Sequence, residues 1–186
     1  SIFLILLLAI SSCFLTGCVN QHPKDSKKSS QGESVETMLE ITDPKEKQAV
    51  LNAKAKVKAL SGNPRIVATS PAVADICDKL DLDLVGVPKS SVSKIPSRYK
   101  KVKKVGLAMS PDMEIVSSLN PDWILAPSSL ETDLKPKFEE LKNTEYAFLN
   151  LRSVQGMYRS VQELGEIFGK QQEAEKMTKE FTTFYK

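Results

Sequence analysis

The chain has 186 residues, with 26 basic and 23 acidic side chains, three cysteines and one histidine. A net charge of +3 is too small to indicate nucleic-acid binding, and His22 alone cannot supply a catalytic triad or a histidine metal cluster in the folded part of the chain. Because the sequence also has no glycine-rich phosphate loop, we expect neither nucleotide binding nor catalysis.

Residues 2–15 form an uncharged apolar run that ends at Leu15-Thr16-Gly17-Cys18. The run is shorter than the roughly 20 residues that a membrane span needs, and it is typical of a secretory signal. The cysteine after Leu-Thr-Gly resembles the bacterial lipoprotein box. That resemblance implies a palmitate-bearing Cys18 and a protein anchored by lipid to the outside of the bacterial cell membrane. The alternative is a plain secretory signal with an incidental cysteine.

We assign residues 1–17 to a signal peptide and residues 18–42 to a lipid-anchored flexible tether, because the latter are rich in Ser, Lys, Gln and Gly. No basic residue or methionine precedes the apolar run, and the last helical pattern reaches Lys186 without a stop signal. We therefore expect a fragment of a protein that extends at both ends.

Residues 43–62 predict a helix, since Asp43-Pro44 is a favourable start and Val50, Ala53 and Val57 recur at helical spacing. The apolar stripe is thin and rich in alanine. The helix therefore either packs on the following domain or is a solvated spacer, and the pattern slightly favours the spacer.

From residue 63 to residue 170, short apolar strands alternate with amphipathic helices. The pattern predicts strands at 65–70, 84–87, 102–105, 122–126 and 147–151, and helices at 71–80, 110–119, 130–141 and 154–168. Such alternation is typical of parallel βαβ units with right-handed crossovers, so we expect an α/β lobe with a mostly parallel sheet flanked by helices. A charged helix follows in residues 171–186.

Ligands of such sheets bind beyond the carboxyl ends of the strands. We call that edge the rim, and it holds the segments 69–71, 88–91, 107–110 and 127–129. The amides and hydroxyls of Thr69, Ser70, Ala72 and Val73 open a helix, and this end of a helix favours an anion. Ordinary helix capping is an equal alternative.

Met109 follows a short strand and precedes the helix start Ser110-Pro111-Asp112, in which a serine hydroxyl is the expected cap. From this place its thioether can point over the rim, and methionine sulfur is a soft ligand that suits haem iron or copper(I). The alternative is a core methionine that shares an apolar face with Met113.

Six stretches of the sequence carry a family likeness: RIVATS at 65–70, DKLDLDLVGVP at 78–88, IPSRYK at 95–100, VGLAMSPDME at 105–114, NPDWIL at 120–125 and LRSVQGM at 151–157. They resemble the haem-receptor lipoproteins of the iron-regulated surface determinant system. These belong to the ABC-transporter solute-binding proteins that also carry cobalamin and ferric siderophores. The likeness covers about residues 65–186, and the Gly-x-x-Met-x-Pro and Arg-Tyr-Lys segments point to the haem branch.

The resemblance implies a bilobal protein, similar in fold to periplasmic binding proteins, in which two α/β lobes joined by one long helix grip the ligand. Residues 63–170 would be the N-terminal ligand-binding lobe and residues 171–186 the start of the inter-lobe helix, with the second lobe outside this chain. It implies haem as the transported ligand, delivered to ABC permease subunits for iron uptake. We expect a monomer.

By the same resemblance, Met109 is an axial ligand of the haem iron, and the other axial ligand is a histidine of the second lobe. Leu107 would cover the porphyrin. Lys89, Ser90 and Ser91 would help the nearby helix start to bind a haem propionate. Glu114 matches the exposed acid that docks on arginines of the permease, where the alternative is a solvated helix charge.

Three other interpretations stay open. The cargo could be a ferric siderophore or cobalamin, although a rim that is mostly small and apolar, with Lys89 as its basic residue, argues mildly against siderophores. The protein could also be an anchored α/β enzyme or an adhesive surface protein.

Overall fold

The computed structural model describes residues 39–184; the predicted signal peptide, Cys18 and His22 lie outside the described residues. The helices are α1 Pro44–Lys58, α2 Pro71–Lys79, α3 Met113–Ser118, α4 Glu131–Glu139, α5 Val154–Phe168 and α6 Gln171–Phe184. The strands are β1 Ile66–Ala68, β2 Leu84–Val87, β3 Lys103–Lys104, β4 Gly106–Leu107, β5 Ser110–Pro111, β6 Trp123–Pro127 and β7 Glu145–Leu149. Within this part of the chain no helix combines the length and apolarity that a membrane span requires.

Five strands form one parallel sheet in the order β3-β2-β1-β6-β7. β1 lies at the centre, and every residue of β1 and β6 is buried. Strands buried on both faces are typical of parallel sheets covered by helices. The predicted α/β fold with a mostly parallel sheet flanked by helices is therefore confirmed.

The two faces of the sheet bury two separate cores, because side chains alternate along each strand. Ile66, Ala68 and Leu125 enter the larger core, which also holds buried residues of α1, α2, α5 and α6. Val67 and Ile124 enter the smaller core together with buried residues of α3 and α4. The strand ends between these two layers are thereby held in fixed positions.

α1 packs against the lobe and is not a solvated spacer, which corrects the preference drawn from its sequence. Val50 is buried in the larger core, with Ala53 and Val57 packed against it. Three ion pairs fix the polar side of the helix: Lys54 with Glu166 at 2.7 Å, Lys56 with Glu145 at 2.5 Å, and Glu46 with Arg159. Two lysines of the helix thus pair with acids on α5 and β7, and its thin apolar stripe is enough to pack on the lobe.

A carboxyl pair lies in the contact between α1 and α5. Burial, and after it the hydrogen bond and the charge of Glu46, raise the pKa of Glu163 to about 7, whereas the charge of Arg159 opposes the shift. Protonated Glu163 can share its proton with Glu46, but two ionised carboxylates repel each other. The α1–α5 contact is therefore stronger in mildly acidic solution.

Glu163→Gln should stabilise the protein above neutral pH and flatten its stability profile. The pKa of Glu163 is raised in the folded state from its ordinary value of 4.5. The contribution of this group to the stability of the protein is therefore fully present below pH 4.5 and is lost as the pH rises through about 7. We expect a gain of about 1 kcal/mol at pH 8, after discounting for the partial exposure of the group. Urea unfolding at pH 5 and pH 8 measures it.

Glu175→Gln, on the exposed side of α6, is the matched control and should leave the profile unchanged. A Glu163→Gln variant whose stability falls with pH as steeply as that of the parent protein would contradict this account.

Candidate functional site

The rim is formed by the carboxyl ends of β1, β2 and β6, which the parallel pairing brings to one edge of the sheet. β1 leads into Thr69 and Ser70, β2 into Pro88 and Lys89, and β6 into Ser128. A short antiparallel hairpin, β4–β5, follows β3 at this same edge, where the sequence predicted no hairpin.

The start of α2 offers fewer anion-binding groups than the sequence suggested. The Thr69 side chain is buried and its hydroxyl donates to the Leu125 carbonyl at 3.4 Å. The Ser70 hydroxyl caps the helix by accepting the Val73 amide at 3.2 Å, and the Val73 side chain is buried. The Ala72 amide, in the first turn, has no carbonyl partner within the helix, and the Ser70 hydroxyl keeps its proton to donate.

The loop after β2 stands beside the hairpin. The Lys89 amide donates to the Gly106 carbonyl at 2.6 Å, while the Lys89 side chain is exposed. Ser90 accepts the Ser93 amide at 3.0 Å, which folds the loop into a local turn, and Ser91 is exposed. Lys89 and Ser91 are therefore free to reach a ligand from this side of the rim.

The hairpin places Met109 at its tip. Its pairs are Gly106 with Pro111 and Leu107 with Ser110, so Ala108 and Met109 form the turn. The Met109 side chain is 73% exposed and Leu107 is 59% exposed. The Met109 side chain is therefore not part of either core. It is one of the few large apolar side chains that are exposed among the described residues. The structure thus puts Met109 where a ligand could reach its sulfur.

Gly106 determines the course of the hairpin. Its φ of +96° is one that side-chain-bearing residues rarely adopt, and a Cβ at this position would lie 2.8 Å from the Asp112 amide nitrogen. The Asp112 amide donates to the Val105 carbonyl at 2.7 Å, and the Val105 amide donates to Val87 at 2.9 Å. The base of the hairpin is thereby tied to β2.

Glu114 lies exposed in the first turn of α3. Asp112, and not the expected Ser110, caps this helix, because its carboxylate accepts the Ile115 amide at 3.1 Å. Ser110 is instead taken up by β5. The cap therefore lies two residues later than the sequence indicated, and Glu114 follows shortly after the hairpin in the chain.

Tyr99 and Arg98 hold the long loop between β2 and β3. The Tyr99 hydroxyl donates to the buried Leu82 carbonyl at 2.5 Å. Arg98 pairs with Asp81 at 2.9 Å and with Asp83 at 2.8 Å, and its hydrogen bond lowers the pKa of Asp81. These two acids are structural partners of the loop.

Other reactive groups of the described part do not form a site. Cys77 is buried, and desolvation raises the pKa of its thiol to about 12, so it is unreactive. Among residues 39–184, no cluster of three or more His, Cys, Asp or Glu side chains could hold a metal ion. The rim with its exposed thioether is the candidate site.

Comparison with known proteins relates this lobe to binding proteins of importers. The model of the family described as periplasmic binding protein matches residues 66–186. The high-affinity heme uptake system protein IsdE of Staphylococcus aureus is 36% identical over 117 residues, which make up 63% of this chain and 39% of that protein. This chain thus spans well under half the length of that curated relative.

Two solved structures agree with the fold. An ABC transporter substrate-binding protein from Listeria monocytogenes EGD-e is 44% identical with a TM-score of 0.63, and the match covers 66% of this chain and 46% of that chain. S. aureus IsdE complexed with heme is 34% identical with a TM-score of 0.61 and the same coverage.

Gly106→Ala should displace the hairpin and destabilise the lobe by about 2 kcal/mol, since it combines an unfavourable φ with a clash against backbone. Gly169→Ala is the matched control: its φ is +70°, but a Cβ there meets nothing within 4 Å. It should cost about 1 kcal/mol. Thermal unfolding of both variants measures the difference, and equal losses would show that Gly106 is not sterically required.

Proposed function

Because this chain belongs to the periplasmic binding protein family, we propose that it is part of an ABC-importer lipoprotein that captures haem and delivers it to the permease for iron uptake. Capture and handover make and break no covalent bond, so the protein is not an enzyme in this proposal. Lipid on Cys18 holds it outside the cytoplasmic membrane. Residues 171–186 lead to a second lobe that lies outside this chain.

The exposed thioether of Met109 is the observation that carries the haem proposal. A methionine in a globular protein usually fills a core, yet this side chain is 73% exposed at a hairpin tip that backbone bonds fix in place. Methionine sulfur is an axial ligand of haem iron in other proteins. In the proposal, Met109 supplies one axial ligand from the rim.

The groups around Met109 suit the rest of a haem. Leu107, 59% exposed on the same hairpin, offers apolar cover to the porphyrin face. The Ala72 amide and the Ser70 hydroxyl at the start of α2, and the exposed Lys89 and Ser91 beside the hairpin, can meet the propionate carboxylates. Ser90 contributes by shaping the loop.

The other axial ligand comes from the second lobe in this proposal. His22 belongs to the predicted tether, and residues 39–184, which the structure describes, contain no histidine. An isolated first lobe would therefore bind haem weakly. The monomeric full-length protein closes both lobes on the iron.

Met109→Leu in the full-length protein should weaken haem binding by about tenfold or more and alter the Soret band, because it keeps apolar volume but removes the sulfur ligand. Titration with haem, followed by absorbance, measures both effects. Met109→His, which restores a ligating atom, should recover affinity with a changed spectrum. Met113→Leu, at the first residue of α3, is the control.

An unchanged Soret band and affinity in Met109→Leu would rule out ligation. In that case, binding assays with a ferric siderophore and with cobalamin identify the cargo, since proteins of the wider superfamily carry both.

Glu114 is proposed to dock the loaded protein on basic residues of the permease, since it is exposed on the first turn of α3 behind the hairpin. Glu114→Lys should abolish haem-dependent growth while leaving haem affinity unchanged, because like charges meet at the contact. Glu175→Lys, which is also exposed but lies on α6, is the charge-matched control. Normal growth of the Glu114→Lys strain would refute the docking role.

A further inference from the structure

Charge is distributed very unevenly over the lobe. Residues 84–111 contain seven basic side chains and no acidic one. The remainder of residues 39–184 contains fifteen basic and twenty acidic side chains, so it is net negative by five charges. A segregation of this kind creates a field that attracts anionic surfaces to one side of the molecule.

Six lysines of this segment are available to a partner. They are Lys89, Lys94, Lys100, Lys101, Lys103 and Lys104, of which all but the half-buried Lys104 are exposed. The seventh basic residue, Arg98, is engaged by Asp81 and Asp83. None of the six lysines forms an ion pair with an acid in the described part of the chain.

These lysines follow one border of the lobe, which we call the basic edge. β3, with Lys103 and Lys104, is the outermost strand of the sheet on that side. Lys89 joins the basic edge to the rim through its backbone bond to Gly106. Lysines on an edge strand discourage unwanted strand pairing, which accounts for Lys103 and Lys104 but not for the four lysines in loops.

An apolar side chain projects from the loop part of the basic edge. Val92 lies between Lys89 and Lys94 and is 95% exposed, the highest value among the exposed large apolar residues of the described chain. The turn closed by the Ser93 amide and the Ser90 hydroxyl holds it outward. Lysines around a projecting apolar residue have the composition of segments that rest on a lipid–water interface.

We propose that the basic edge docks on an anionic lipid surface, with Val92 entering the headgroup region. Polybasic surfaces next to a membrane attachment point bind anionic headgroups, and the predicted lipid at Cys18 would keep this surface within reach. An acidic protein would match the charge, but it gives no reason for an isolated valine projecting into water. Docking by the basic edge does not depend on which cargo is carried.

Tryptophan fluorescence in brominated vesicles tests the docking. The chain has one tryptophan, Trp123, which is buried, so the parent protein supplies the background signal. Val92→Trp is introduced into the full-length lipidated protein, which is reconstituted in brominated phosphatidylcholine with or without phosphatidylglycerol. Leu51→Trp, on the exposed face of α1 and away from the basic edge, is the positional control.

The added emission of the Val92→Trp variant should be quenched in the phosphatidylglycerol vesicles, and the quenching should disappear at high salt because exposed charges are then screened. Replacing Lys94, Lys100, Lys101 and Lys103 by Gln, with Lys89 kept because it belongs to the proposed haem site, should abolish it. Replacing four exposed lysines elsewhere, namely Lys58, Lys135, Lys142 and Lys176, should leave it intact. Circular dichroism checks that both multiple variants are folded.

Quenching that is equal in neutral and anionic vesicles, or equal at positions 51 and 92, would overturn the proposal. So would equal loss in the two lysine variants, because net charge and not the basic edge would then be responsible. Haem titration of the same variants separates the two proposals, since docking can fail while haem binding is retained.

Discussion

The backbone bond from the Lys89 amide to the Gly106 carbonyl, 2.6 Å long, joins the end of β2 to the hairpin that carries Met109. The hairpin has only two residues in each strand and could not keep its shape alone. Its geometry depends on this bond, on the bond between Asp112 and Val105, and on a glycine at the one position where φ is +96°. A metal ligand needs such fixed placement, because a thioether on a mobile loop would lose its advantage to conformational entropy.

Much of the scaffold could be predicted from the sequence because local patterns and burial agree there. β2 and α5 have the bounds that their apolar periodicity indicated. The ends of β1 and β6 differ from the predicted ends by one or two residues. The rim follows from topology, since the ends of parallel strands meet at one edge. The placement of the rim segments therefore needed no knowledge of tertiary contacts.

The features that the sequence left out depend on contacts between distant residues. β7 begins at Glu145 and not at Ala147, because its register is set by pairing with Trp123 and Ile124 of β6. The β4–β5 hairpin lacks the Asn-Gly or Asp-Gly turn that normally identifies one, and Pro111 in its second strand obscures it further. The thin, alanine-rich stripe of α1 suggested a solvated helix, because the acids that pair with its lysines lie about ninety or more residues away in the chain.

The most direct measurement is the position of the iron in a structure of the full-length protein with haem, located by anomalous scattering. The account predicts an iron bonded to the Met109 sulfur, with the porphyrin lying over the rim between the hairpin and the start of α2. An iron bound elsewhere, with the Met109 side chain still turned to solvent, would contradict it.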